Sequence, residues 1–322
     1  MDQIHSTPFR KRTFPARPQL PTLVELNQRY RAQRYLFIQG NEVVRLVKRL
    51  GATAEDLKRL RRVSDHLAPD PTLPFRESRN GRFRIDYGSG RIERLEFQPF
   101  VLTAEEDFVR HDSGKVREFR GIDDELQLNT AFQALLLLKA ALIKDVEVAP
   151  RPNLKKNASQ LVVTVFNLRT ITTPERLGEP ALEGVHSDGV DHTMTTFLGS
   201  DNMTDESAIT FLHDPREKNG TRWDEADLSL RRGHVKHREF LDTLLLVDHE
   251  FKHSLSPVFA KEPNQRAVRD MLIFFSRFPT EVPHVSHPYD SLRPHRELPM
   301  SLAFAPALLG RGAPSAAPGD AR

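Results

Sequence analysis

The sequence predicts a mainly β protein, a sandwich or barrel with flanking helices. After Pro152, short apolar runs rich in β-branched and aromatic residues are separated by turn residues, with no long helical pattern between them. From Leu23 to Leu67, apolar residues instead recur three and four positions apart, which is typical of amphipathic helices. Between these two regions, alternating apolar residues flank "GSG" at 88–90, which indicates a β-hairpin.

The elements before Pro152 are predicted to pack on the core that follows them. Residues 1–20 are basic and Pro-rich and are expected to form a disordered tail, whereas 21–150 are expected to form N-terminal helices and hairpins. The first helix is predicted over "LVELNQRYRAQRYLFI", and Thr53 is a suitable N-cap for "AEDLKRLRRV". A second hairpin is indicated by "DSGKVREFRGI", and the strongest helix pattern, with Asp124 near its start, is "DELQLNTAFQALLLLKAALIKDV".

The second half of the chain is predicted to form the β core, over residues 151–285. Its candidate strands include "SQLVVTVFNLRTIT", "HSDGVDHTMTTFLG", "TLLLVDHEFKHSLSPVF" and "AVRDMLIFFSRFP". Residues 286–304 are expected to form a C-terminal extension. The small, Pro- and Gly-rich residues 305–322 are expected to form a disordered tail.

Composition excludes several classes of site and partner. Lys and Arg outnumber Asp and Glu by only 47 to 44, too small an excess to indicate nucleic-acid binding. The chain has no cysteine, which excludes disulfides, thiolate metal sites and cysteine nucleophiles. No stretch approaches the ~20 uninterrupted apolar residues of a membrane span. We therefore expect a cytoplasmic protein with a small-molecule partner and no membrane or nucleic-acid partner. Its oligomeric state is not indicated.

A zinc-protease string occurs at His249, Glu250 and His253, in the order H-E-x-x-H. Such a site needs both histidines on one face of a helix, so that they converge on one zinc ion. The stretch also reads as a strand, and the Ser254 and Pro257 that follow are poor continuations of a helix. We therefore interpret the string as a coincidence around His253.

A different partner set for His253 lies in "EGVHSDGVDH". His186 and Asp188 are two residues apart, so on a strand both side chains project from the same face. With a distant histidine they form a two-His, one-carboxylate facial triad, which suits non-haem Fe(II) because it leaves coordination positions open. The alternative is a hydrogen-bonded pair at a turn.

A candidate anion-binding cation follows at Arg269, where the next strand begins. In a jelly roll, a cation there can reach the far carboxylate of a dicarboxylate chelated at iron, and an Arg fork suits that carboxylate. The alternatives are nearby Arg266 in that role, or a surface ion pair with Glu262 or Asp270.

Three segments in this order, "EGVHSDGVDHTMTTFLG", "LDTLLLVDHEFKHSLSPV" and "VRDMLIFFSRF", resemble the Fe(II)/2-oxoglutarate dioxygenases similar to bacterial L-isoleucine 4-hydroxylase. The resemblance extends from about Leu161 to Phe278. It implies a double-stranded β-helix (jelly-roll, cupin-like) core with Fe(II), 2-oxoglutarate and O₂ as cofactor and co-substrates. It further implies that His186, Asp188 and His253 bind the iron and Arg269 binds 2-oxoglutarate.

The resemblance also implies a reaction. The expected activity is hydroxylation of an unactivated C–H bond of a free amino acid or similar small metabolite, with release of succinate and CO₂. Asp188 favours hydroxylation over halogenation, because a Gly or Ala there would open a position for halide. Two alternatives remain, namely the same chemistry on a peptide or biosynthetic intermediate and a non-catalytic jelly-roll protein that binds a metal or ligand. Four residues near the ligands are candidates to face the site or to pack, namely Thr195, Asn167, Ser256 and Arg277.

Overall fold

The structure is a computed structural model, and it describes residues 20–99, 101–103, 112–156 and 158–304. The two tails expected to be disordered therefore lie outside the described residues, apart from Leu20. Within the described part, no helix is both long and apolar enough to cross a membrane.

Twelve strands in the described residues form two antiparallel sheets. Their bounds are β1 Tyr35–Ile38, β2 Ala68–Pro69, β3 Arg76–Asp86, β4 Arg91–Leu95, β5 Gln160–Thr172, β6 His192–Asp201, β7 Thr210–His213, β8 Arg231–Val235, β9 Thr243–Val247, β10 Lys252–Leu255, β11 Ala267–Arg277 and β12 Ser301–Ala303. The large sheet has the order β1-β9-β6-β11-β5-β3-β4-β12, with β2 beside β3, and the small sheet has the order β10-β7-β8. The predicted mainly β, jelly-roll class is confirmed.

The two sheets pack through apolar side chains of their facing surfaces. Leu212 of β7 contacts a cluster with Leu244 and Leu246 of β9. These residues come from strands that lie in different sheets, so the contact brings the sheets face to face. The open space that remains between the sheets contains the candidate site described below.

Helices cover the outer side of the large sheet. Their bounds are α1 Leu23–Gln33, α2 Gly40–Arg49, α3 Ala54–Leu60, α4 Asp124–Gln127 and α5 Thr130–Ile143. Most residues of helix α5 are apolar and buried, as expected for a helix enclosed by the fold. Its Phe132 packs between Phe83 of β3 and Phe274 of β11, with ring centroids 5.6 and 6.1 Å apart. This contact ties α5 to the middle of the sheet.

Several predicted elements are confirmed, and two have different bounds. The hairpin around "GSG" is present as β3 and β4, with Ile85 opposite Ile92. Thr53 caps α3 by accepting a hydrogen bond from the backbone N–H of Asp56 at 3.0 Å. The pattern that begins at Asp124 forms two helices, because Asn129 accepts hydrogen bonds from two backbone N–H groups and starts α5.

The prediction that the first helix continues through Tyr35–Ile38 is wrong. Helix α1 ends at Gln33 because Arg34 adopts a left-handed conformation, with φ of 65°. The next four residues form β1, which pairs with β9 at the edge of the large sheet. Tertiary pairing and the burial of Leu36 and Ile38 override the helical periodicity there.

The second hairpin predicted in "DSGKVREFRGI" stays a prediction, because residues 104–111, which precede the segment, lie outside the described residues. The end of the segment runs beside β3, where Asn80 bonds to Arg120 and Ile122 through backbone groups. Phe119 packs edge-on against Phe166 of β5, with the ring centroids 5.1 Å apart. Contact with the large sheet therefore holds the end of this segment.

Candidate metal centre

Three side chains expected to bind iron converge in the structure. Nε2 of His186 lies 3.5 Å from Oδ1 of Asp188, and Nε2 of His253 lies 3.7 Å from Oδ2 of the same carboxylate. One potential ligand atom from each residue can be chosen so that all lie within 4.8 Å of one another. Two imidazoles and one carboxylate are the donor set of the facial triad that binds non-haem Fe(II). The side chains present therefore fit such an ion.

Backbone pairing brings the two histidines together. The N–H of His186 donates to the carbonyl of His253 at 3.0 Å, and the N–H of His253 donates to the carbonyl of His186 at 2.9 Å. Directly opposed residues of an antiparallel pair project from the same face, so the rings lie side by side with centroids 4.3 Å apart. The histidines are therefore adjacent without any contribution from a metal ion.

Neighbouring groups orient the ligand atoms. Nδ1 of His186 donates to the carbonyl of Gly184 at 2.8 Å, since a carbonyl can only accept, and this leaves Nε2 as the lone-pair nitrogen. The hydroxyl of Thr193 donates to Oδ2 of Asp188 at 2.6 Å. Both contacts fix which atoms are presented to an ion.

Asp248 holds the chain that carries the Asp188 ligand. Its two carboxylate oxygens accept hydrogen bonds from the backbone N–H groups of Asp188, at 2.8 Å, and Val190, at 3.2 Å. The side chain is completely buried. No local spacing signals this contact, because the partners are about 60 residues away along the chain.

The zinc-protease string has no helix to support it. Asp248–Glu250 form a single 3₁₀ turn, Phe251 is extended, and His253 lies in β10. His249 therefore does not share a helix face with His253, and it is not among the three converging side chains. Glu250 forms an ion pair with Arg34 at 2.6 Å, so it is tied to the end of α1.

The electrostatics of the cluster set the protonation state of each candidate ligand. Burial lowers the pKa of His186, but the carboxylates of Glu183 and Asp188 outweigh it and raise that pKa to about 9. Burial raises the pKa of Asp188, but His253 and His186 outweigh it and lower that pKa to about 2. Burial lowers the pKa of His253 to about 4. Asp188 and His253 are thus in their ligand forms at neutral pH, whereas His186 must release a proton when a metal binds.

The cluster opens into a cavity of about 130 Å³ between the two sheets. Side chains from β5, β6, β9 and β11 of the large sheet and from β7 and β10 of the small sheet line it. Most of these residues are apolar, including Phe166, Leu168, Met271 and Phe275. We call this space the active cavity.

Arg269 faces the active cavity, as the sequence predicts for an anion-binding cation. Its residue is only 4% exposed, and in the described part of the chain its guanidinium makes no ion pair within 4.0 Å. Burial lowers the pKa of Arg269 to about 10, which leaves it charged near neutral pH. The alternative pairing with Asp270 is wrong, because Asp270 binds Arg169 at 2.7 Å, and Arg266 is exposed.

Of the four further candidates near the ligands, Thr195 alone lines the active cavity. Its hydroxyl lies 3.2 Å from Nε2 of His237, a buried histidine whose pKa is lowered to about 3 by burial and by Arg269. The other three candidates make structural contacts, namely Asn167 with Ser64, Ser256 with Glu206 and Arg277 with Asp290.

Comparison with known proteins agrees with this geometry. The chain is 44% identical over 283 residues to the bifunctional enzyme flvA of Aspergillus flavus, a match that covers 88% of this chain and 34% of flvA. The chain thus spans about a third of that relative. It is 48% identical to a solved Fe(II)/α-ketoglutarate-dependent dioxygenase, TqaL, with 87% of this chain and 94% of that one covered and a TM-score of 0.76.

A more distant structure shares the fold. A bsmA homologue from Methylobium petroleophilum is 19% identical, with 83% of this chain and 98% of that one covered and a TM-score of 0.65. The family model described as 2OG-Fe dioxygenase matches residues 61–275, which include every residue of the cluster and Arg269. The chain belongs to this family, and it is a 2-oxoglutarate-dependent iron dioxygenase that uses Fe(II), 2-oxoglutarate and O₂.

Proposed function

We propose that the protein hydroxylates an unactivated C–H bond of a free amino acid or similar small metabolite. In this proposal His186, Asp188 and His253 hold Fe(II), and Arg269 binds 2-oxoglutarate. The observation that carries the proposal is the convergence of the three ligand side chains beside a cavity lined by a buried arginine that has no ion pair with any described residue. When bound, iron with 2-oxoglutarate and O₂ supplies the oxidising chemistry, with release of succinate and CO₂.

The residues of this chain perform binding, orientation and exclusion of water. Arg269 attracts the far carboxylate of 2-oxoglutarate, and a guanidinium can bind it through two parallel hydrogen bonds. Gly184 and Thr193 keep the ligand atoms of His186 and Asp188 pointed at the ion. The apolar walls keep water from the reacting centre, so that the bound groups are held in position.

The size and lining of the active cavity support a small substrate. A cavity of about 130 Å³ with a mainly apolar lining and a few polar groups suits a small metabolite better than a peptide. The resemblance to isoleucine hydroxylases makes aliphatic amino acids the first compounds to test. A biosynthetic intermediate of similar size is the second candidate.

An anaerobic titration tests the metal site. The purified metal-free protein receives Fe(II) and then 2-oxoglutarate, and we expect the visible metal-to-ligand charge-transfer band of the chelate. His186→Ala should abolish both the band and succinate formation in air. His234→Ala, at an exposed histidine of β8, is the matched control and should change neither. Succinate formation that survives His186→Ala would show that the ligands are assigned wrongly.

A substrate screen then separates the candidate functions. Coupled succinate release with an aliphatic amino acid supports the proposed activity. A protein that forms the charge-transfer band and releases coupled succinate only with larger compounds acts on another intermediate or a peptide. A folded protein that binds metal without forming the band is instead a non-catalytic binding protein.

A further inference from the structure

Glu183 is a buried acid in the active cavity that the proposed mechanism does not use. Its side chain is 10% exposed and contributes to the cavity lining. The closest charged partner of its Oε1 is Nε2 of His186, at 3.5 Å. Neither carboxylate oxygen has a hydrogen bond from any residue in the described ranges. The acid therefore depends on a nitrogen that the proposed function assigns to the metal.

A metal ion at the site would occupy the atom that Glu183 faces. Because Nδ1 of His186 donates to the carbonyl of Gly184, Nε2 holds the lone pair for a metal, and a metal-bound Nε2 offers Glu183 no hydrogen bond. The Glu183 side chain lines the cavity, so its carboxylate is open to a donor that enters there. A cation in the cavity is therefore the partner that this carboxylate can take.

The position of Glu183 argues against a fourth metal ligand. The group whose ligand atoms all lie within 4.8 Å of one another contains His186, Asp188 and His253 and does not include Glu183. Its carboxylate is instead beside that group and faces the same cavity as Ala181 and Phe119. Glu183 is thus placed to meet a molecule that occupies the cavity next to the ion.

A tight turn fixes this placement. The N–H of Gly184 donates to the carbonyl of Ala181 at 3.2 Å, so the turn encloses Glu183. Gly184 has a φ of +74°, and a Cβ there would lie 2.4 Å from the carbonyl oxygen of Thr221. Only glycine fits this position without strain. The same Gly184 carbonyl orients His186, so one turn sets both the metal ligand and the neighbouring acid.

We propose that Glu183 accepts the ammonium group of the substrate and selects small primary amines with an apolar side chain. This inference rests on the proposed function of the site, and it adds the residue that binds the ammonium group of the substrate. The ammonium supplies the three N–H donors and the positive charge that the buried carboxylate needs. Apolar wall residues such as Leu102, Phe119 and Ala181 then receive the hydrocarbon part.

The test compares amines with matching acids that lack the amine. Full-length wild type and Glu183→Gln are loaded anaerobically with Fe(II) and 2-oxoglutarate and titrated while the charge-transfer band is monitored. The probes are L-valine, L-leucine and L-isoleucine, and the amine-free 3-methylbutanoate, 4-methylpentanoate and 3-methylpentanoate. Glu179→Gln is the matched control, because it lies on the same loop outside the cavity lining.

We expect at least one amino acid to perturb the wild-type band, and Glu183→Gln to weaken its binding about tenfold or more. The apparent affinity for 2-oxoglutarate should be the same in all three proteins, the affinity for Fe(II) should not fall in Glu183→Gln, and the amine-free acids should not distinguish the three proteins. The inference is overturned if amines bind wild type and Glu183→Gln equally, if no amine perturbs the wild-type band, or if Glu183→Gln lowers the affinity for Fe(II) itself. A wild-type protein without a charge-transfer band instead refutes the proposed function, and this inference with it.

Discussion

At the scale of single residues, Asp248 acts on the metal centre without being a ligand. Asp248→Asn replaces an acceptor of two backbone N–H groups by an amide that has only one acceptor oxygen. We expect a folded protein in which the Asp188 loop is less fixed and the dissociation constant for Fe(II) rises about 10- to 100-fold, as for other groups that orient metal ligands. Equilibrium titration of Fe(II) under anaerobic conditions measures this change.

Asp242→Asn is the control for that substitution. Asp242 is also buried and also accepts backbone N–H groups, from Gly40, Arg238 and Glu239, but it lies outside the metal cluster. It should cost stability without changing the affinity for Fe(II). Equal affinities in Asp248→Asn and wild type would contradict the role assigned to Asp248.

A second residue-scale prediction concerns Arg269. Arg269→Met removes the guanidinium that β11 contributes to the cavity lining. We expect the KM for 2-oxoglutarate to rise about 30-fold or more, because the loss of one partner of a buried charge pair costs about 2 kcal/mol or more. Steady-state kinetics with varied 2-oxoglutarate measure it. Arg266→Met, at an exposed arginine three residues earlier, should leave KM unchanged. The opposite pattern would move the role to Arg266.

The residue scale also shows what the sequence can predict about the site. The spacing of His186 and Asp188 suggests the pair, because extended residues two apart share a face. The predicted strand is wrong there, since β6 begins only at His192 and His186 forms an isolated bridge with His253. The contribution of Glu183 and Asp248 depends instead on a turn and on a contact across about 60 residues. Neither leaves a periodic signal, so both required the structure.

At the scale of elements, helix α5 carries a lysine into the apolar interior. Lys139 is fully buried, and its Nζ donates to the backbone carbonyls of His192 and Phe274 at 3.3 and 3.0 Å. Burial lowers the pKa of Lys139 well below its usual value, and Asp188 opposes this only in part. The helix is thus joined to β6 and β11 by an amine as well as by ring packing.

This lysine gives a predicted pH dependence of stability. Because the folded pKa lies below the unfolded value of about 10.4, the unfolded state binds more protons at any pH between the two, and the free energy of unfolding rises with pH in that range. Lys139→Met should remove up to about 1.4 kcal/mol per pH unit of that rise. Denaturant unfolding from pH 7 to pH 10 measures the slope. Exposed Lys48→Met should retain it, and identical slopes in Lys139→Met and wild type would refute the assignment.

Element bounds were predictable where local signals suffice. The helix cap at Thr53 and the turn at 88–90 each depend on a few neighbouring residues, and both occur where the sequence predicts them. Tyr35–Ile38 continues a helical pattern but forms a strand, because β9 offers it a partner that no local window contains. Arg120 and Ile122 likewise pair with Asn80, a partner that no local window contains.

At the scale of the whole molecule, one carboxylate joins three distant parts of the chain. Asp290 lies near the 3₁₀ turn His287–Tyr289 and binds Arg277 of β11 at 2.9 Å and Arg82 of β3. Burial raises the pKa of Asp290, but the two arginines outweigh it and hold that pKa well below its usual range. The C-terminal part of the described chain is therefore fastened to the large sheet by charge.

The sign of this shift predicts sensitivity to acid. A depressed folded pKa contributes stability that is present above the unfolded value of about 3.9 and lost as pH falls below it towards the folded value. Asp290→Asn should lower the free energy of unfolding by about 3 kcal/mol at pH 7 and reduce the loss between about pH 4 and pH 2. Asp205→Asn, which breaks an exposed pair with Arg238, should cost under about 1 kcal/mol. Equal costs would show that Asp290 has no special role.

The pairing of His186 with His253 has a consequence for the order in which the site forms. Since their amides donate to each other's carbonyls, these two N–H groups are reporters that hydrogen exchange can read without metal, substrate or turnover. Slow exchange at both amides in metal-free protein would mean that folding alone sets the spacing of the imidazoles, so that the ion binds to a preformed site. Fast exchange at both would mean that these two hydrogen bonds become stable only when the ion binds, and that the ion holds together two segments that are 67 residues apart in the sequence.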